Sequence, residues 1–301
     1  MLDGPRFWFS LPARIRREAA DFRPDAIVAQ SPYEAAAALL AKTGVPVIVE
    51  VHGDWRTFAR LYGARRRRLV ARCADALGTW AVRRASRVRA VSPYTARLIR
   101  EAGRVPDAEF PAFMDLGAFE APTRPLPAEP VALFVGVLEL YKNIDGLAGA
   151  WRSARERVPR ARLHIVGDGS RASIVGSLVD DGLVQWDRRL TTNEVAAALD
   201  ESSLLILPSR SEGMGRVVIE AFLRGRPVIG SNLGGIRDLV TDGENGLLVE
   251  PEPEALADAL VRLLSDPVEL ERLAAHARAA GERWRVSPDE YAERMRELIA
   301  R

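Results

Sequence analysis

Short apolar runs rich in β-branched residues alternate with longer helical patterns along the chain, and this alternation limits the folds open to it. In the second half the runs are Val131–Val135, Arg162–Val166, Leu183–Trp186, Leu204–Leu207, Pro227–Gly230 and Gly246–Val249. In the first half they are Ala26–Ala29, Val47–Val51, Val88–Val91 and Ala108–Phe110. Strands separated by helical segments are typical of parallel βαβ units. We therefore predict an α/β protein with two Rossmann-like domains, of which the N-terminal one is incomplete.

A proline-rich segment separates the two halves of the chain. Residues 121–130 contain four prolines, which fix φ and disfavour helix at the preceding residue, so a stiff linker is expected here. We predict an N-terminal domain of residues 1–122 and a C-terminal domain of residues 131–284, with a final helix at 287–301 packing back on the first domain. Other helices are predicted at Pro12–Ala20, Tyr33–Ala41, Thr57–Ser86, Pro93–Glu101, Pro253–Leu264 and Pro267–Arg283.

Composition excludes several classes of protein. None of the 301 residues falls in an apolar run long enough to span a bilayer, and the first ten residues do not resemble a secretory signal. The single cysteine, Cys73, excludes an intramolecular disulfide and a cysteine-based metal cluster. We therefore expect a cytoplasmic protein. Lysine occurs only at Lys42 and Lys142 in an arginine-rich chain, which draws attention to where each lysine lies.

A loop with two acidic residues follows the apolar run that ends near Pro208. The sequence from Ser211 to Glu220 predicts a helix beginning near Gly213, whose glycines would let an anionic group approach unpaired backbone N–H groups. Glu220 follows Glu212 by about two helical turns, so the two carboxylates could share a helix face. Taken alone, the glycines could equally be turn residues and the acids a solvated face.

The complete pattern resembles a known family. Two glutamates separated by seven residues, Glu212 and Glu220, are similar to the E-x7-E motif of the retaining GT-B glycosyltransferases of family 4. Other segments resemble that family in the same order along the chain. They are the strand-end histidine segment Val49–Gly53, Arg89–Ser92, the donor-domain opening Gly136–Lys142, His164–Gly169, Asn232–Val240 and Asp242–Val249.

The resemblance implies transfer of a sugar from a nucleoside-diphosphate sugar to an acceptor hydroxyl with retention of configuration. It implies that Glu220 binds ribose, that Glu212 contacts the transferred sugar and that Lys142 neutralises the leaving diphosphate. It also gives His52 a substrate-facing role at the domain cleft. The donor-binding residues implied by the motif are Gly136, Gly167, Gly213, Met214, Gly215, Arg216 and Glu220. Neither a metal nor another cofactor is expected.

Simpler interpretations of the same residues stay open. Glu212 could be an acid favoured by a helix N-terminus, Lys142 a surface lysine and His52 a capping or core histidine. We expect His164, which lies within a strand, to be structural, and Trp186 to serve packing.

Two departures from the family pattern affect what the chain can do. The family commonly places an arginine just after the strand-end glycine, where this chain has Val137 after Gly136. Arg216 is the preferred substitute for the missing phosphate contact, with Arg188 and Arg189 as alternatives. The chain also begins at what resembles the helix before the family's fourth strand, so the run at Ala26–Ala29 is expected to form an exposed edge. We therefore expect a truncated chain, or one completed by a partner.

Arginines interleaved with apolar residues follow His52. Six lie on one predicted helix: Arg60, Arg65, Arg66, Arg67, Arg68 and Arg72. A basic amphipathic surface is suited to anionic lipid, which fits a lipid-linked acceptor at the inner face of a membrane. A solvated basic face remains the alternative, and nucleic-acid binding is not expected because no recognition fold accompanies the patch. The alternative functions are a nucleotide-sugar-binding remnant without transfer and another GT-B enzyme, such as a nucleotide-sugar epimerase or a phosphorylase.

Overall fold

The chain folds into two compact α/β units. The computed structural model describes residues 5–57 and 65–300, with side chains described for residues 10–57 and 71–300. One unit comprises Met1–Phe113 together with Val286–Arg301, and the other comprises Met114–Arg285. Each unit contains a parallel sheet and helices, so the predicted α/β class with parallel sheets is confirmed.

The first unit contains a four-stranded parallel sheet in the order β1-β2-β3-β4. Its elements are α1 Pro5–Phe22, β1 Ile27–Ala29, α2 Pro32–Ala41, β2 Val47–Val51, α3 Arg65–Arg84, β3 Arg87–Ala90, α4 Pro93–Glu101, β4 Ala108–Glu109 and the last helix of the chain, α12 Pro288–Ala300. Every residue of β2 is buried, because β2 lies between β1 and β3 and α2 packs against it. As expected, β1 is an outer strand of the described sheet, and Val28 on it is 36% exposed.

The elements of the first unit begin and end for recognisable reasons. Ser31 and Ser92 lie directly before α2 and α4, and each accepts a hydrogen bond from a backbone N–H of the first helical turn. Ser92 forms a complete capping box with Thr95. The predicted helix Thr57–Ser86 is described only from Arg65 to Arg84, because residues 58–64 lie outside the described part of the chain. The predicted helix Pro12–Ala20 is longer than expected and continues through Pro12 as α1.

The second unit contains a six-stranded parallel sheet in the order β10-β9-β8-β5-β6-β7. Its strands are β5 Val131–Val135, β6 Arg162–Val166, β7 Gln185–Asp187, β8 Leu204–Leu207, β9 Val228–Ser231 and β10 Gly246–Val249. Its helices are α5 Ile144–Arg157, α6 Ala172–Asp180, α7 Thr192–Asp200, α8 Arg216–Leu223, α9 Ile236–Leu239, α10 Pro253–Ser265 and α11 Pro267–Glu282, with short 3₁₀ turns at Gly117–Phe119 and Leu140–Lys142. All six predicted strands are present, with β7 and β9 shifted by one or two residues.

The strand order places a topological switch in the middle of this sheet. From β5 the chain proceeds outward through β6 and β7 and then returns to the other side of β5 as β8, before continuing to β9 and β10. The carboxyl ends of β5 and β8 therefore lie side by side, while the segments that follow them diverge. In open parallel sheets, ligands bind in the crevice that this divergence leaves.

The proline-rich segment is attached to the second unit. Arg226, almost fully buried, donates to the carbonyl oxygens of Arg124 at 2.9 Å and Pro125 at 3.2 Å. Arg224 forms a buried ion pair with Asp200 and donates to the Ala121 carbonyl at 2.9 Å. These bonds explain why the division between the units falls at Phe113 and Met114, ahead of the predicted linker at 121–130.

Within residues 5–57 and 65–300, no helix combines the length and the apolar character needed to cross a membrane.

We expect Arg226→Met to lower the free energy of unfolding by about 2–4 kcal/mol. The buried guanidinium makes four hydrogen bonds to carbonyl oxygens, and methionine would remove all four. Urea unfolding of the two proteins measures the difference. Arg278→Ala is the matched control, because Arg278 contacts the same segment at Glu120 and Ala121 from a partly exposed position. It should cost less than about 1 kcal/mol. Equal losses of unfolding free energy in the two variants would contradict our explanation that the effect comes from the burial of Arg226.

Candidate functional site

Most of the residues singled out by the sequence motif lie at the topological switch of the second sheet. Lys142 follows β5 at the end of a 3₁₀ turn, and Glu212 lies in the loop that follows β8. The two residues are 70 positions apart in sequence, yet the Lys142 Nζ donates to Glu212 Oε1. The neighbouring carboxyl ends of β5 and β8 bring a cation and an anion together at the edge where ligands bind such sheets.

The Lys142–Glu212 ion pair is well shielded from solvent. The Lys142 side chain is 11% exposed and that of Glu212 is 12% exposed, so both charges depend on one another for compensation. Ser209, fully buried two residues beyond β8, donates a hydrogen bond from its hydroxyl to the same Glu212 oxygen at 2.8 Å. The glutamate is therefore held from two sides, with its second oxygen not engaged by either contact.

Asn143 and Arg210 fix the turn that carries Lys142, although the sequence analysis did not identify them. Asn143 has a left-handed backbone with φ of 58°, and its Nδ2 donates to the Pro251 carbonyl at 2.7 Å. Arg210 donates through Nε to Asn143 Oδ1 at 3.1 Å and through its backbone N–H to the Tyr141 carbonyl at 2.7 Å. The available signal was the asparagine itself, because asparagine tolerates the left-handed region that ends such turns.

Gly136 and Gly167 let two loops approach more closely than side chains would allow. Gly167 has φ of 145°, and a Cβ built on it would lie 1.9 Å from the Gly136 carbonyl oxygen. A Cβ on Gly136 would lie 3.4 Å from Lys142 Cε, so the lysine stem packs over that backbone. The Lys142 side chain therefore packs against the backbone of Gly136, and a larger residue at Gly167 would displace that backbone.

The segment Gly213–Gly215 is a loop and not the start of a helix. Gly215 adopts φ of 65°, so α8 begins only at Arg216. The predicted helix start near Gly213 is therefore wrong, and Glu212, which precedes α8, does not share a helix face with Glu220. Met214, within this loop, is buried. The tight approach of the next loop, where a Cβ on Gly235 would lie 2.1 Å from the Gly213 carbonyl oxygen, holds the segment in place.

Glu220 lies on α8, one turn after Arg216. Burial raises the pKa of the Glu220 carboxyl above its ordinary value, and the charge of Arg216 only partly opposes this effect. Arg216 is exposed at the first residue of α8, where its guanidinium is accessible to an anion. The pair thus presents an exposed cation beside a largely buried carboxyl group.

The other arginine alternatives differ from Arg216 in their surroundings. Arg188 donates to both oxygens of Asp168 at 3.0 Å and stacks 4.2 Å from the Trp186 ring centroid. Trp186 itself donates Nε1–H to the Gly167 carbonyl at 2.8 Å, which supports its predicted packing role. Val137, at the position where the resemblance leads one to expect an arginine, is about half exposed.

Two histidines form carboxylate pairs in different units. His164 on β6 lies 2.8 Å from Asp187 through Nε2 and is 9% exposed, which fits the structural role expected for it. His52 follows β2 in the first unit, where its Nε2 lies 3.3 Å from Glu50 Oε2. The His52 side chain is 37% exposed. His52 therefore combines access to solvent with attachment to a buried acid.

Glu50 and Arg89 form a buried ion pair behind His52. Burial acts to raise the pKa of the Glu50 carboxyl, but the hydrogen bond from His52 and the charge of Arg89 outweigh it and lower the pKa below its ordinary value. Arg89 also donates to the Tyr291 hydroxyl of α12 at 3.1 Å and to the Pro111 carbonyl at 2.8 Å.

Among the side chains described for residues 10–57 and 71–300, no group of three or more His, Cys, Asp or Glu is arranged to hold a metal ion.

Two family models match the chain. The model described as "Glycosyl transferase 4-like domain" matches residues 2–110, and the model described as "Glycosyl transferases group 1" matches residues 129–266. The second match contains Lys142, Glu212 and Glu220, and the first contains His52. Together the matches span most of the chain, which belongs to the group 1 glycosyltransferases.

Curated relatives share this assignment. Alpha-D-kanosaminyltransferase of Streptomyces kanamyceticus is 29% identical over 259 residues, which cover 78% of this chain and 65% of that protein. D-inositol 3-phosphate glycosyltransferase of Frankia alni is 35% identical over 168 residues, covering 50% of this chain and 41% of that protein. The chain thus spans less than two thirds of the length of these relatives.

Solved structures share the fold. Sucrose-phosphate synthase from Thermosynechococcus elongatus matches with a TM-score of 0.81 and 22% identity, covering 99% of this chain and 82% of that one. Anabaena HepE in complex with UDP-glucose matches with a TM-score of 0.76 and 20% identity, covering 99% of this chain and 85% of that one. The predicted GT-B type of α/β fold with parallel sheets is therefore confirmed.

Proposed function

We propose that the chain is a retaining glycosyltransferase that moves a sugar from a nucleoside-diphosphate sugar to an acceptor hydroxyl. One observation carries the proposal: Lys142 and Glu212 meet at the switch of the second sheet, with Glu220 and Arg216 on the helix that follows. The arrangement combines a cation for a diphosphate, one carboxylate for a sugar and a second carboxylate for ribose. The activity of a relative, alpha-D-kanosaminyltransferase, is of the same general class.

The donor half of the proposal follows from charge. The Lys142 ammonium compensates Glu212 in the described structure, and a bound diphosphate would share that ammonium. Exposed Arg216 supplies a second cation, which replaces the arginine that the family commonly has where Val137 stands. The carboxylate of Glu220 accepts hydrogen bonds from the two neighbouring hydroxyls of ribose. The loop backbone at Gly136, Gly167 and Gly213–Gly215 admits the nucleotide without side-chain obstruction.

The transfer step needs stabilisation of charge more than proton transfer by the protein. As the bond between the anomeric carbon and the phosphate oxygen lengthens, negative charge grows on the diphosphate near Lys142, and positive charge grows at the anomeric carbon near Glu212. The departing phosphate oxygen takes the acceptor proton on the same face, so configuration is retained. We assign His52 a contact with the substrate. No metal ion takes part, and transfer should proceed unchanged in a chelator.

We expect Lys142→Ala to slow sugar transfer by about 10²–10³-fold, because the leaving diphosphate loses its neutralising cation. Transfer is measured with UDP- and GDP-linked sugars, and NMR of the product reports the anomeric configuration. The control is Lys42→Asn, which removes the other lysine at a left-handed position that asparagine tolerates. Normal transfer by Lys142→Ala would refute the assignment. Donor binding without transfer by the wild-type chain would identify a binding remnant.

Donor affinity should fall as the pH falls, because of Glu220. Only the ionised carboxylate accepts hydrogen bonds from both ribose hydroxyls, and burial raises the pKa of this group. Protonation of Glu220 in the free protein therefore competes with binding as the pH falls through this raised pKa, and affinity should reach a plateau above it. Calorimetry with UDP-glucose, whose diphosphate keeps a constant charge over this range, measures the effect.

Glu220→Gln is the matched variant for this experiment. It keeps the shape of the side chain and removes its titration, so affinity should be weaker by about tenfold at neutral pH and independent of pH. A pH dependence that persists in Glu220→Gln would exclude Glu220 as its origin.

We further propose a lipid-linked acceptor and attachment to the cytoplasmic face of a membrane through α3. Leu77 and Trp80 are exposed on this helix at a spacing that places them on one face with exposed Arg84. Exposed Arg72 lies on the same helix. Arg65 to Arg68 form its first turn, while Arg60 lies outside the described residues. Apolar and basic residues together suit an anionic lipid surface.

Binding to vesicles tests the membrane proposal. Arg67→Glu/Arg68→Glu should reduce co-sedimentation with phosphatidylserine-containing vesicles by at least about tenfold, since each basic residue near such a surface contributes about 1 kcal/mol. The charge-matched control is Arg160→Glu/Arg189→Glu, which reverses two exposed charges outside this helix. Equal wild-type binding to vesicles of phosphatidylcholine alone would contradict the proposal.

A further inference from the structure

A carboxylate lies in the middle of the first sheet, where charge is costly. Glu50 is the fourth residue of β2, a strand paired on both sides, and the residue is 2% exposed. A buried carboxylate of this kind is retained only with close partners for its oxygens. The nature of those partners therefore indicates what the carboxylate does.

The two oxygens of Glu50 serve two different residues. Oε1 accepts from Arg89 Nη1, and Oε2 lies 3.3 Å from His52 Nε2. Arg89 is fully buried and is itself held by the Phe110 ring at 4.1 Å, the Pro111 carbonyl and the Tyr291 hydroxyl. The carboxylate is consequently locked on one side and presents its second oxygen to the histidine.

We propose that Glu50 is a positioning residue that fixes the tautomer and orientation of His52. A carboxylate oxygen can only accept, so Nε2 carries the hydrogen. Nδ1 of the neutral ring then keeps its lone pair and accepts a hydrogen bond from a substrate hydroxyl. The inference rests on the proposed function, in which His52 contacts the substrate.

The groups around this histidine keep the Glu50 carboxyl ionised. Glu50 faces His52 from β2, and Arg89 faces Glu50 from β3, while Tyr291 of α12 closes the far side of Arg89. The Glu50 carboxyl stays ionised to low pH because its pKa is lowered. The Glu50 carboxylate is therefore available to accept the Nε2 hydrogen at neutral pH and above.

The chain contains three histidines. Two of them have a carboxylate partner and the third has a backbone carbonyl partner. His164 faces Asp187 through Nε2 at 2.8 Å, as His52 faces Glu50. Nδ1 of His276 lies 3.0 Å from the Arg272 carbonyl oxygen, which can only accept, so the hydrogen of this ring is on Nδ1. A spectrum of the ring nitrogens thus carries its own references for both tautomers.

The experiment is ¹⁵N–¹H correlation of the imidazole rings in the full chain at neutral pH and above. His52 should appear with Nε2 protonated and Nδ1 bare, like His164 and unlike His276. Glu50→Gln should turn His52 into a mixture of tautomers and leave the other two signals unchanged. Asp187→Asn is the matched control and should alter His164 alone. A His52 signal in wild-type protein that is already mixed, or that Glu50→Gln leaves unchanged, overturns the proposal.

Kinetics separate this inference from the function on which it rests. Glu50→Gln should lower kcat by at least about tenfold with little change in the KM for donor, because the donor half lies in the other unit. His52→Ala that transfers sugar at the wild-type rate refutes the role of His52, whatever the spectra show. If Glu50→Gln does not fold, the wild-type spectrum alone decides whether Nε2 carries the hydrogen.

Discussion

The pairing of β5 with β8 determines where chemistry can occur in this protein. Strands that are neighbours in space but distant in sequence leave their following loops free to diverge, and the gap opens at the carboxyl edge of the sheet. Lys142 and Glu212 enter that gap from opposite sides and compensate one another's charge. The parallel register between Ala132 and Leu204 is what brings Lys142 and Glu212 into contact.

Buried charge is handled in the same way in both units, though to different ends. Arg224 with Asp200 and the neighbouring Arg226 satisfy backbone carbonyls and so fasten a segment of chain. The Glu50–Arg89 pair instead leaves one carboxylate oxygen for a residue that reaches solvent. Such pairs contribute little net stability, since desolvation offsets much of their attraction. Their common effect is to define the position of the groups bound to them.

Much of the fold could be predicted from the sequence because strand periodicity and turn residues are local signals. All six strands of the second sheet follow from their apolar runs. The geometry of Glu212 could not be predicted, because it depends on the left-handed backbone at Gly215 and on close packing against Gly235. Asn143 and Arg210 were missed for a related reason. They act through backbone carbonyls and a turn whose partners are distant in sequence.

The fastening of residues 120–125 has a consequence for the exchange of parts between related proteins. Carbonyl oxygens of this stretch accept hydrogen bonds from Arg224, Arg226 and Arg278. The proline-rich segment looks like a suitable junction for a chimera. A junction there would, however, combine these arginines with a backbone segment from another protein. Junctions just before Met114 and just before Val286 would transfer the second unit together with residues 120–125. The suitable N-terminal junction for recombination therefore lies before the segment that composition alone predicts to be a linker.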